Sequence, residues 1–336
     1  MRRSSWLPEG GTNLFQEIKK VCAEAEKGGQ KLYRLSIGQP TGPALLPARK
    51  AAADAVMSDA EQMHEYQDNG SPGVPGFAER FVGCHTAVNI KNFNVRCLPV
   101  PGIKPILGLI PLACNSTRSR IRTLTTMKPG YPTPADWLGY LRQYCQPAEL
   151  NPENFFRFDP NELDNDINLV MSNYPHNPSA QVATRKWWID ICGVAEAKGI
   201  RVFNDAAYAI LAHAPDHCTL ADVAVNFRNL SWAEAFSASK AGNFTGWRIG
   251  AIVGSPDFVD DIAKIKGNTD SGFAAPLVAG VLALFENHKD LIEEVRKGYQ
   301  RRIELLVNTL TKYGIRLAVT PGAGFFTLWQ DRKSVV

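Results

Sequence analysis

The sequence predicts an α/β fold: a mostly parallel central sheet flanked by helices. Three observations carry the prediction. Apolar runs of strand length alternate with longer runs at helical spacing through the middle of the chain. Polar residues suited to chemistry fall just after the strand runs rather than inside them, which is where open parallel sheets hold ligands. The length of 336 residues exceeds what one hydrophobic core usually organises, so a large domain with a smaller companion is expected.

Taken in order, the first extended stretch is NVRCLPV, followed by Gly102 and the helical run KPILGLIPLA. INLVMSNY (167–174) is a short β-rich run. Thr184 then reads as the N-cap of a helix in which Trp187, Trp188, Ile191, Val194 and Ala195 recur at helical spacing. RVFND (201–205), AEAFSASK (233–240) and RIGAIVG (248–254) are further strands, and 256–267 and 276–313 read as long helices. Asn177 follows the strand at 167–174, Asp205 ends the strand at 201–205, Lys240 follows the strand ending near Ser237, and Gly102 follows the first extended stretch. Four positions therefore converge on one sheet edge.

Composition narrows the class of function. Hydrophobic residues at 45% and charged residues at 21% are ordinary globular values, without the signature of disorder. The net charge of +4 is spread along the chain with no basic block, which argues against nucleic acid as a partner. The most apolar stretch, CLPVPGIKPILGLIPLAC, is interrupted by prolines and Lys104, so no membrane span and no signal peptide are expected. Seven cysteines without a C-x-x-C pair read as reduced thiols of a cytoplasmic protein. Of six histidines only His213 and His217 are close, and they lack a carboxylate at ligand spacing, so no metal site is expected. A nicotinamide-binding reading fits the fold class, but no G-x-G-x-x-G follows a first strand.

A lysine, an acid, a ring-stacking aromatic and an arginine beside hydroxyls and a helix start are the parts that hold a phosphorylated aromatic aldehyde. NYPHNPSA (173–180), DAAY (205–208), SASK (237–240) and Arg248, in that order, resemble the signature series of the class I/II pyridoxal-phosphate aminotransferases of fold type I. The resemblance runs from about residue 30 to residue 330 and implies pyridoxal 5'-phosphate as cofactor, with amino acid and 2-oxo acid as substrates. It implies that Lys240 forms the Schiff base and moves the proton, that Asp205 pairs with the pyridine nitrogen, and that Tyr208 and Asn177 hydrogen-bond the ring oxygen. Ser237, Arg248 and Ser239 would hold the phosphate, with the backbone N–H groups of Gly102, Ile103 and Lys104. Tyr131 in PGYP would stack on the ring, Gly38 in SIGQP would lie against the substrate carboxylate together with Asn177, and Tyr66 would reach the phosphate of a neighbouring subunit in a homodimer with shared sites. The implied organisation is an N-terminal arm with part of a small α+β domain (1–45), a large cofactor-binding domain (46–275), and linking helices with the start of the small domain (276–336).

The chain departs from the family pattern in two places. Ser179 and Ala180 stand where N-P-T-G is usual. The segment VTPGAGFFTLWQDRKSVV resembles the first strand of the small domain and then stops, while the family's substrate-carboxylate arginine lies further on; Arg316 and Arg332 do not match its motif. The branch suggested by SIGQP and PGYPTP contains aspartate, alanine, aromatic and LL-diaminopimelate aminotransferases. Two alternatives stay open at this stage: β-elimination at a carbon–sulfur bond or a synthase reaction with the same cofactor, and a truncated, cofactor-binding but catalytically impaired chain.

Overall fold

The computed structural model describes residues 14–330, apart from Arg34, Ser36 and Ile37. The chain divides into two compact units, one ending at Gln39 and the other beginning at Pro40. The first unit contains the helix Leu14–Lys27, with Glu17 in its first turn and Lys27 in its last, each at the end of the helix dipole that favours its charge.

The second unit is built on one sheet of seven strands. These are β1 (Arg96–Val100), β2 (Arg122–Thr125), β3 (Tyr144–Pro147), β4 (Leu169–Ser172), β5 (Arg201–Asp205), β6 (Trp232–Ser237) and β7 (Gly250–Gly254). Their spatial order is β1-β7-β6-β5-β4-β2-β3. The pairs β3/β2, β2/β4, β4/β5 and β5/β6 are parallel, and only β7 runs against its neighbours β6 and β1. The mostly parallel sheet expected from the sequence is present.

Both faces of this sheet are buried, which is why its central strands read as continuous apolar runs rather than alternating ones. Leu169, Met171, Phe203, Ala233 and Ala235 pack on one face with Ile103, Ile106, Phe258 and Ile262. Val170, Val202 and Phe236 pack on the other with Trp188, Ile191 and Val281. The helix Arg185–Lys198 carries the chain from β4 to β5, and Thr184 caps it by accepting the Trp187 N–H at 3.2 Å. Gly199 ends it in the left-handed region with φ 66°.

Three details differ from the sequence reading. The helical pattern at 276–313 is two helices, Ala275–Asn287 and Lys289–Lys312, separated by His288 at φ −136°, ψ 48°. KPILGLIPLA likewise forms two short helices, Ile103–Ile106 and Leu109–Ala113. Strands β2 and β3 carry threonines, an arginine and a glutamine in four-residue runs, too short and too polar to stand out by pattern.

Candidate active site

Parallel strands end at a common edge, and β4, β5 and β6 bring Ser172, Asp205 and Ser237 to it. A cleft opens there, lined by Thr125, Thr126, Tyr131, Ser172, Asn173 and Asp205. The loop after β4 is tied to this edge by asparagines: Asn173 receives Asn177 N–H at 3.0 Å and donates its own Nδ2 to the Asp205 carbonyl at 2.8 Å. Asn173 N–H in turn donates to Thr126 Oγ1 at 3.0 Å. Behind the edge, Asn204 Oδ1 accepts the Tyr174 N–H at 2.9 Å and Asn204 Nδ2 donates to the wholly buried Glu234 at 2.8 Å. Asn177 thus sits on a rigid base and is half-buried.

Asp205 is the last residue of β5 and only 8% exposed. Burial pushes its carboxyl up to about 6, against the pull of the Ala207 N–H and of Lys240. Lys240 closes the short turn Ala238–Lys240 that follows β6, and Ser237 Oγ shapes that turn by accepting the Ser239 N–H at 3.1 Å. The Lys240 Nζ lies 5.5 Å from the Tyr208 ring centre and 6.0 Å from that of Phe325. Burial pulls the Lys240 amine down to about 8; Asp205 opposes the shift and Arg248 adds to it. Tyr208 is buried, and burial raises its hydroxyl above the usual range, with Asp205 and Tyr131 adding to the effect. Burial also raises the Tyr131 hydroxyl, against a hydrogen bond with Thr133.

Gly102 caps the four-residue helix Ile103–Ile106 at φ 79°, a conformation that favours glycine. A Cβ at Gly102 would lie 2.5 Å from Arg248 Nη2, so the absent side chain is what lets the guanidinium reach this backbone. Arg248 is exposed and its Nη1 donates to the Thr245 carbonyl at 3.2 Å. Ile103 is buried and Lys104 is exposed.

Asp205 and Tyr131 line the cleft, Lys240 lies against the Tyr208 ring, Arg248 lies against Gly102, and Ser237 ends β6 with Ser239 in the turn that follows. Tyr66 stands apart, 77% exposed on its own loop. Gly38 belongs to the other unit, and Ser36 and Ile37 of SIGQP lie outside the described residues. Arg316 is exposed beyond the last helix, and Arg332 lies outside the described residues. Four contributors were not legible in the sequence: Thr126, Asn173, Phe325 and Phe326. The two phenylalanines pack on Tyr208 at 5.7 and 5.1 Å between ring centres. The only sequence signal for them is a pair of aromatics after Gly-Ala-Gly, and nothing in it indicates that they return to Tyr208.

The departure at Ala180 has a structural consequence. Ala180 is 1% exposed and adopts φ 58°, the left-handed region where a side chain is strained, which accounts for the glycine usual at this position. Ala180→Gly is expected to stabilise the fold by roughly 0.5–1 kcal/mol, measured by chemical unfolding, because the relief of strain exceeds the added chain entropy.

The donor set suits pyridoxal 5'-phosphate. It offers a half-buried amine of lowered pKa near a buried acid at a strand end, an aromatic ring lining the cleft, and a guanidinium over a helix start where a Cβ would intrude. Among the described residues no group of three or more His, Cys, Asp or Glu is placed to hold a metal, and no helix is long and apolar enough to cross a membrane.

Comparison with known proteins agrees with this geometry. The family profile described as Aminotransferase class I and II matches residues 30–335. The LL-diaminopimelate aminotransferase of Methanocaldococcus jannaschii is 29% identical over 329 residues, covering 93% of this chain and 74% of that protein. The LL-diaminopimelate aminotransferase of Oleidesulfovibrio alaskensis is 27% identical over 322 residues, covering 91% of this chain and 79% of its own length. A structure of aspartate aminotransferase from Thermus thermophilus, a double mutant, has the same fold at a TM-score of 0.82 and 19% identity, covering 98% of this chain and 85% of that one. The chain belongs to the class I and II aminotransferases, pyridoxal-phosphate-dependent enzymes that move amino groups between amino acids and 2-oxo acids.

Proposed function

We propose that this aminotransferase works through Lys240 as the group that anchors the cofactor and moves the proton, with an LL-diaminopimelate-type amino acid as the first donor to test. The observation that carries the residue assignment is the pairing of Lys240 with Asp205 at adjacent strand ends, one amine pulled down to about 8 and one acid pushed up to about 6 by the same burial. Bound in the cleft, pyridoxal 5'-phosphate supplies an aldehyde for the lysine amine and a protonated ring that accepts electrons from the substrate Cα.

In this reading the chain's own residues divide the work. Lys240 Nζ, once released, takes a proton and returns it within one site, and a neutral amine near pH 8 suits that work at ordinary pH. Asp205 would hold the ring nitrogen's proton. Tyr208 and Asn177 would donate hydrogen bonds to the ring oxygen, and Tyr131 would stack on the ring. Arg248, Ser237 and Ser239 would hold the phosphate with the N–H groups of Gly102, Ile103 and Lys104. The Phe325 ring beside Nζ would keep water from the Lys240 amine. Gly38 borders the substrate carboxylate in this reading.

The homodimer with shared sites is part of the proposal, and what supports it is Tyr66, an exposed ring on a loop that has no role within its own subunit's cleft. A cytoplasmic location is supported by seven unpaired cysteines. The names of the matched relatives support the choice of donor. The test is a panel of LL-diaminopimelate, aspartate, alanine and phenylalanine with 2-oxoglutarate as acceptor, read by glutamate formation. Glutamate formed most rapidly from LL-diaminopimelate is the expected result. Turnover confined to another donor overturns the substrate assignment, and pyruvate and ammonia released from cystathionine without an acceptor would mark the elimination reaction instead.

A further inference from the structure

We infer that Lys266 is a positioning residue for Tyr66: a wholly buried ammonium that clamps the exposed tyrosine's loop to the segment 266–272. The inference rests on the reading of Tyr66 as a contact to the cofactor phosphate of a second copy. Lys266 ends the helix Pro256–Lys266 and is 0% exposed. A buried ammonium is tolerated only when its charge is paired and its protons are used. Lys266 meets both conditions, donating to Asp270 Oδ1 at 2.6 Å, Asn69 Oδ1 at 3.1 Å and the Asp68 carbonyl at 3.4 Å. Two of the three acceptors belong to the loop that carries Tyr66.

The rest of that loop is held by the same segment, by the helix before it and by bonds within the loop itself. Gln67 and Asp68 N–H both donate to the Ser271 carbonyl, at 3.1 and 3.0 Å, and Asn69 Nδ2 donates to the Ala263 carbonyl at 3.0 Å. The buried Gln67 side chain bonds to the Gln62 and Glu65 carbonyls and accepts from Gly73 N–H. Gly272 approaches so closely that a Cβ there would lie 2.7 Å from the Gln67 Cβ. Asp68 and Ser71 are held at positive φ, 41° and 51°, conformations a free loop would relax from. An exposed ring on a base this heavily restrained is a ring held out to something, and a loop that moved away would leave the buried Lys266 ammonium with Asp270 alone of its three acceptors.

The experiment is a double-mutant cycle on the full chain, reading the affinity of the apoprotein for pyridoxal 5'-phosphate by quenching of tryptophan fluorescence. Tyr66→Phe and Lys266→Met are each expected to weaken binding about tenfold, and the double variant to bind about as each single one does, because they disable one contact. A double variant weakened roughly a hundredfold, the product of the two, overturns the inference, since Lys266 would then act elsewhere. Normal affinity in Lys266→Met alongside weak affinity in Tyr66→Phe overturns it too while leaving the Tyr66 reading intact. Normal affinity in Tyr66→Phe sinks the Tyr66 reading itself. Should Lys266→Met fail to fold, Asn69→Ala removes one of the three acceptors without unpairing the charge and enters the same cycle, with an expected loss of about threefold.

Discussion

Replacing Lys240 by alanine is expected to lower amino transfer by at least about 10²–10⁴-fold, the range for loss of a positioned acid–base group. Borohydride reduction should fix the cofactor's mass on wild-type protein and fail to do so in the variant. The physical basis is the placement of Nζ beside the Tyr208 and Phe325 rings, where burial favours the neutral amine. The same placement sets a pH signature in the apoprotein. Reaction of Lys240 with an aldehyde reagent should be half-maximal near pH 8, far below the ordinary lysine value of 10.5. Asp205 holds that value up, so Asp205→Asn should move the midpoint to lower pH, and Arg248→Ala, which removes a repelling charge, should move it higher. A midpoint near the ordinary lysine value in wild type would contradict the assignment of Lys240 as a desolvated amine.

Asp205→Asn has the second largest expected effect, a loss of roughly 10²–10³ in kcat/KM, as when one preorganised electrostatic partner of a reacting group is removed. Its signature is a gain in stability alongside the loss. The buried carboxyl titrates at about 6 in the folded chain and at 3.8 when unperturbed, so the unfolded state releases its proton first. The group therefore contributes nothing adverse below pH 3.8, and stability is lost as pH rises toward and through about 6. At pH 7 the asparagine variant of the apoprotein should unfold about 1–3 kcal/mol later than wild type, and at pH 4 the difference should nearly vanish. An amide keeps the acceptor for the Ala207 N–H, so the comparison isolates the charge. A residue that costs stability and supports turnover is what a functional acid looks like; equal stability at both pH values would argue that Asp205 is not desolvated.

How far the sequence reached can be judged strand by strand. β4, β5, β6 and β7 were legible because both faces of each are buried, which makes each a largely apolar run. Asp205 and Lys240 were legible from the ordered series NYPHNPSA, DAAY, SASK and Arg248 set against the ends of these strands. β2 was not, although it brings Thr125 and Thr126 to the cleft, because four residues of mixed character carry no periodicity. Asn173 was passed over for its neighbour Asn177, yet Asn173 bonds both the loop and the Asp205 backbone.

By itself the sequence determined the fold class, the cofactor chemistry and the order of the residues at the sheet edge, because these depend on local pattern and on residue types fixed along the chain. Only the tertiary structure decided which groups share one low-dielectric space. The lowered amine, the raised acid, the rings of Phe325 and Phe326 beside Tyr208, and the buried Lys266 under the Tyr66 loop all arise from packing between segments distant in the chain. Burial is a property of the whole molecule, and desolvation, which sets these charges, has no counterpart in a string of residues.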